Sequence, residues 1–180
     1  MTFPVFASGD VLNASDMNAV GTWLVKTQTI GTAVSSVTVT GAFSSDYDNY
    51  IVTVSGGAAS TTNYGNLTLG STSTGYYILG YYGAYTVATL NGLIVNNGSN
   101  FGECCVGTTN DIEGYFYVGS PNLAKPTHVR LFNAGSATTG NVSSFYQGFV
   151  NNTTQYTAFT ITASTGTFTG GTIRVYGLRN

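Results

Sequence analysis

From Trp23 onward the chain alternates β-branched or aromatic residues with polar ones, in short runs. Period-two alternation of this kind predicts half-buried strands. The pattern predicts strands over 23–30, 34–40, 49–55, 65–69, 76–82, 85–90, 101–106, 112–118, 128–132, 143–149, 156–162 and 172–178. Gly, Asn, Ser and Thr fill the turns between them, each favoured there for its own reason. Gly31-Thr32-Ala33 separates the first two runs and predicts a hairpin. Upstream, Asn13 to Val20 carries a helical signature. Asn13 suits an N-cap, Asp16 suits the positive end of a first turn, and Gly21 ends the run. So short a helix is not stable alone and has to pack on something. Many short strands with regular turn signals predict an all-β fold, an antiparallel β-sandwich of jelly-roll-like order. The expected division is an N-terminal arm with one short helix over 1–22 and a sandwich over 23–180.

One run departs from the alternation. Residues 76–85 (Tyr-Tyr-Ile-Leu-Gly-Tyr-Tyr-Gly-Ala-Tyr) are apolar or aromatic on both faces. A strand on the outside of a two-layer sandwich alternates with polar residues. This one needs cover on both sides, from a second subunit or from a loop or thick core of its own chain, and the second subunit is the expected cover. Tyr76, Tyr77, Tyr81, Tyr82 and Tyr85 are therefore the expected subunit-interface residues. The tyrosines also suit stacking on sugar rings, because each has a flat apolar face and a polar tip.

Composition narrows the function. Charged residues are 7% of the 180, against about 25% in an ordinary soluble domain. Five Lys and Arg make no footprint for tracking phosphates, so nucleic acid is not an expected partner. No apolar run approaches the roughly 20 residues that span a bilayer, so neither is a membrane. Met1 to Ala7 shows no basic stretch followed by an apolar one, so no signal peptide is expected. A near-neutral surface of Thr, Ser, Asn, Gly and Tyr gives little repulsion between copies and suits an assembly.

Candidate chemistry is sparse. Cys104 and Cys105 are the only thiols. Neighbouring Cα atoms sit about 3.8 Å apart, too close for an unstrained disulfide. On a strand they face opposite ways, so one is expected buried and one half-exposed, and they cannot chelate one ion together. His128 is the only histidine and lies in a strand pattern with Arg130 on the same face. No nucleophile elbow, P-loop or dinucleotide fingerprint occurs. Asp46/Asp48 and Asp111/Glu113 are i, i+2 pairs that a turn or strand brings together in any case; calcium binding and then glycoside hydrolysis are the alternatives for them. Six N-x-S/T triplets, at Asn13, Asn66, Asn97, Asn141, Asn151 and Asn152, arise by chance in such a composition. No catalytic residue, cofactor or metal is expected.

Three blocks carry a resemblance. The opening Gly9-Asp10-Val11-Leu12-Asn13-Ala14-Ser15-Asp16-Met17-Asn18 resembles the G-x-V-L-x-A-x-x-M/L-N opening of tailed-bacteriophage structural proteins. Residues 23–31 with 43–50, and the ending Gly171-Thr172-Ile173-Arg174-Val175-Tyr176-Gly177, are similar to short phage and marine-metagenome virion proteins. The resemblance covers both ends of the chain and leaves roughly 56–140 unplaced. It implies a trimeric β-sandwich on the virion surface, attached through its N-terminal segment. The apolar residues of that segment, Phe3, Val5, Phe6, Val11, Leu12 and Met17, are then the capsid-anchoring set. The expected function is a homotrimeric capsid decoration (cement) protein that partners itself and the major capsid protein. The alternative is a tail-fibre or receptor-binding component that partners tail proteins and host glycan.

Overall fold

β10 (Thr127–Ala134) shows how the alternation becomes a layer. Thr127, Val129, Leu131 and Asn133 are buried, while His128, Arg130, Phe132 and Ala134 are exposed. Successive side chains of a strand point to opposite faces, so the sequence period of two sorts one set inward and one outward. The computed structural model describes residues 8–9, 21–135 and 142–178. The expected helix over 13–20 and the anchoring set Phe3, Val5, Phe6, Val11, Leu12 and Met17 lie outside the described residues.

The described chain is all-β and antiparallel. Eight strands form a large layer in the order β1 (Thr22–Thr29), β14 (Thr172–Leu178), β3 (Asn49–Ser55), β9 (Ile112–Gly119), β10, β11 (Val142–Val150), β6 (Tyr76–Ala84) and β7 (Leu90–Gly98). Four more form a small layer in the order β2 (Ser36–Thr40), β12 (Ala158–Ala163), β5 (Asn63–Leu69) and β8 (Glu103–Gly107). A short pair, β4 (Ala58–Ala59) with β13 (Phe168–Thr169), completes the set. The two layers face each other as a sandwich. Phe159 of β12 meets Phe116 of β9 at 6.0 Å, and Phe43 meets both Tyr50 and Phe159. Eight strands and four do not reproduce the eight-strand double Greek key of a jelly roll.

The layers join at a fork. β3 runs along one edge of β9 over its whole length. β10 takes the other edge at residues 115–119, and β8 takes that same edge only at Ile112 and Glu113. β8 then leaves β9 and crosses the inner face of the large layer. Gly114 permits the crossing, since a Cβ there would stand 2.5 Å from Cys105 Cβ and 2.6 Å from the Cys104 carbonyl oxygen. On the other side of β8, a Cβ at Gly65 would run into Cys105 Sγ and Ile161. With cover on both faces, Cys104 and Cys105 are both fully buried and free. This corrects the expectation of one buried and one half-exposed thiol.

Two further expectations change. Gly31-Thr32-Ala33 is not a hairpin turn: β1 pairs β14 in the large layer and β2 pairs β12 in the small one. The link is an arch between layers, with Gly31 and Ala33 both at positive φ and Val34 bridged to Phe168. The predicted strand over 85–90 is instead, over 85–89, the turn between β6 and β7, where the Val87 amide donates to the Ala84 carbonyl. Beyond it lies β7, whose Asn and Gly residues read as loop composition.

Candidate functional site

The outer face of the large layer carries the sequence's unexplained apolar residues. On β6 the alternation sends Tyr77, Leu79 and Tyr81 outward and Tyr76 and Ile78 inward. Register then aligns the outward residues of neighbouring strands into rows. Tyr81, Phe145, Phe132 and Tyr115 stand opposite one another across β6, β11, β10 and β9. Their ring centroids are 5.8, 5.1 and 5.9 Å apart, tilted or edge-on. Aromatic rings prefer such offset arrangements, which hold the row in place. A second row runs Leu79, Gln147, Arg130 and Tyr117, with Ile94 of β7 opposite Leu79. Arg130 lies 5.1 Å above the Tyr117 ring, and the Tyr117 hydroxyl donates to Asn49 Oδ1 at 2.6 Å. A third row stacks Tyr77 on Phe149 at 5.1 Å and 9°, with His128 5.9 Å beyond.

This face is open to solvent. Ile94 is 77% exposed, Leu79 57%, Tyr81 51%, Tyr115 41% and Phe132 40%. Leu90, Tyr85 and Val87, at the β6–β7 end, are exposed too. At about 150–250 Å² for a large side chain, these fractions amount to an apolar surface on the order of 800 Å². That exceeds the few hundred Å² of a typical monomer patch and matches one partner's share of a standard protein interface. A shallow groove of about 660 Å³ runs through it between Tyr77, Leu79, Ile94, Arg130, Gln147 and Phe149.

The five tyrosines singled out from the sequence do not stay together. Tyr77 and Tyr81 lie on the outer face, and Tyr85 sits in the turn at its end. Tyr76 is a core residue at 0% exposure: its hydroxyl donates to the Thr72 carbonyl and accepts from the Leu69 amide, and burial pushes its pKa up to about 12. It has no surface to offer a second copy. Tyr82 alternates away from the outer face but remains exposed, at the flank of the sandwich. Sequence reasoning missed Phe132, Phe145, Phe149, Tyr115, Leu79 and Ile94. Their i, i+2 placement in separate strands is visible in sequence, but register alone makes them neighbours.

Asp46, Asp48 and Asp111 lie in turns, and Glu113 is an outward residue of β9. Ser44 Oγ donates to Asp46 Oδ2 at 3.1 Å, and the Asp48 carbonyl accepts from the Ser120 amide. Thr108 Oγ1 donates to Asp111 Oδ1, and the Thr108 amide to the Asp111 carbonyl. Partial burial raises the Glu113 pKa, with Asp111's charge adding to it. Among the described residues no group of three or more His, Cys, Asp or Glu side chains is placed to hold a metal ion.

Glu103, which sequence reasoning also missed, is a half-buried carboxylate tied into the interior by its hydrogen bonds. It opens β8 in the run Glu103-Cys104-Cys105-Val106, and a charge beside an otherwise apolar run was the available signal. Tyr146 Oη donates to Glu103 Oε2 at 2.9 Å, and Asn133 Nδ2 donates to the Glu103 carbonyl oxygen. Burial raises the Glu103 pKa, with hydroxyls of Tyr146 and Ser144 pulling it back. Compared with family models, curated proteins and solved structures, the chain finds no match in any of the three.

Proposed function

We propose that the protein is a structural subunit of a bacteriophage virion: a homotrimeric capsid decoration protein whose outer aromatic face is covered by sister copies and whose N-terminal arm holds the shell. The observation that carries the reading is the exposed row Tyr81–Phe145–Phe132–Tyr115 with Leu79 and Ile94 beside it. Water contact with so large an apolar surface is costly, and burying it drives association. The sheet edges point the same way. β1 carries Lys26 and a bulge next to Leu24, and β2 is only five residues long. Both features discourage edge pairing. β7, Leu90–Gly98, has neither charge nor proline along its length, and its one bulge lies between Val95 and Gly98, so its pairing with β6 is regular over 90–95. An edge left unguarded over that stretch, beside an apolar face, suits a permanent neighbour. A trimer requires a contact that joins different patches of successive copies and closes after three of them.

The function follows from linkage. A subunit that binds the assembled shell and not its dispersed parts stabilises the shell, and three arms per trimer multiply a modest arm affinity. The resemblance of the opening and closing blocks to phage virion proteins supplies the setting. Light scattering after gel filtration tests the association, with a trimer expected; a stable monomer overturns it. Immunogold labelling of virions tests the location. Labels over the head support decoration, and labels confined to the tail favour the fibre reading instead.

A further inference from the structure

We propose that the flank of the sandwich around Glu103 is a binding site for a neutral carbohydrate, one sugar ring lying on Leu93 and Val95 while its hydroxyls donate to the Glu103 carboxylate. The site opens on the other side of β6 and β7 from the outer face, with Ile78 and Val95 bordering both, and its carboxylate stands whether or not copies associate through that face. It follows from the fork. Where β8 leaves β9, its first residue swings over the inner face of β11 and β6, beyond the cover of the small layer. A cavity of about 310 Å³ opens there, lined by Tyr64, Asn66, Leu93, Val95, Asn100 and Glu103 among others. That is the lower end of ligand-pocket sizes and suits a single ring.

The lining selects the ligand. The carboxylate is anchored from within: Tyr146 Oη donates to it, and Asn133 Nδ2 holds the Glu103 backbone and Ser144 Oγ, the latter at 3.3 Å. The described cations, Lys26, Lys125, Arg130 and Arg174, do not line the cavity. An anion therefore meets no counter-charge and faces a carboxylate. What the site asks for is hydrogen-bond donors. A polar group taken out of water without partners is costly, and a ligand that brings hydroxyls meets that need. Ile78, Leu93 and Val95 form an aliphatic wall that matches the C–H face of a pyranose, and the Tyr64 hydroxyl and Asn66 amide add neutral partners. An organic ammonium would also meet the carboxylate. A lining otherwise neutral, with a single aromatic ring, fits a polyol better than a cation-binding aromatic cage.

The test is nuclear magnetic resonance on the full-length, isotope-labelled protein. The probes are the methyl glycosides of glucose, galactose, mannose and N-acetylglucosamine at tens of millimolar, with methylammonium alongside. The expected result is that at least one glycoside shifts the amides of Asn66, Val95 and Glu103 and saturates. Glu103→Gln, which keeps the shape and can still accept from Tyr146, should then weaken that binding about tenfold or more. Asn66→Ala, at a half-exposed position, is the second variant and should weaken it as well. The proposal is overturned if no glycoside shifts these amides, if shifts persist unchanged in the variants, or if methylammonium alone produces them.

Discussion

Glu103 gives the molecule a pH dependence of definite sign. Burial raises its folded-state pKa above the ordinary carboxylate value, and the more exposed Glu113 shifts the same way. The folded state then holds protons that the unfolded chain has released, so stability falls as pH rises through the raised pKa. The contribution is fully present only below the unfolded value. Thermal unfolding should therefore show a higher midpoint in mild acid than at neutrality. Glu103→Gln should raise the neutral-pH midpoint and flatten the dependence; a midpoint that falls on acidification would contradict the assignment. Keeping a carboxylate at a net cost to stability is the pattern expected of a functional group. Cys104 and Cys105 show the opposite case. Burial and each other's proximity push the Cys104 thiol well up, so it behaves as a small apolar side chain in the layer crossing.

Elements differ in how much of them the sequence discloses. β3 and β14 have the bounds that alternation predicts, because each is buried on one face and keeps the period of two. β8 does not follow the rule, since it is covered on both sides after leaving β9. β7 was illegible: Asn91, Gly92, Asn96 and Asn97 are turn formers by propensity, and pairing with β6 overrides them. The interface proposed for β6 and β7 is testable at the same scale. Leu79→Lys and Ile94→Lys place a charge on the exposed face without touching the core. Each should break the trimer into monomers, seen by analytical ultracentrifugation, because burying an unpaired charge between copies is costly. The folded monomer should keep its stability to within about 0.5 kcal/mol, as surface changes usually do. An intact trimer in both variants would place the interface elsewhere.

At the scale of the whole molecule, the proposed division of work between sandwich and arm is open to test. Removing residues 1–20 should leave a folded trimer that no longer co-sediments with capsids; truncated protein that still binds them would remove the arm as anchor. The chain by itself determined the all-β class, most strand positions, the near-neutral surface and the need to cover the tyrosine-rich run. Those properties are local: alternation, propensity and charge are written residue by residue. Only the tertiary structure decided that the run is half core and half face, that rings from four strands make one row, and that a lone glutamate lies between sheets beside a cavity. Each of these depends on strand register and on where β8 leaves β9. Both are set by which distant strands pair and by close approaches at Gly65 and Gly114, and period-two alternation carries no record of the partner.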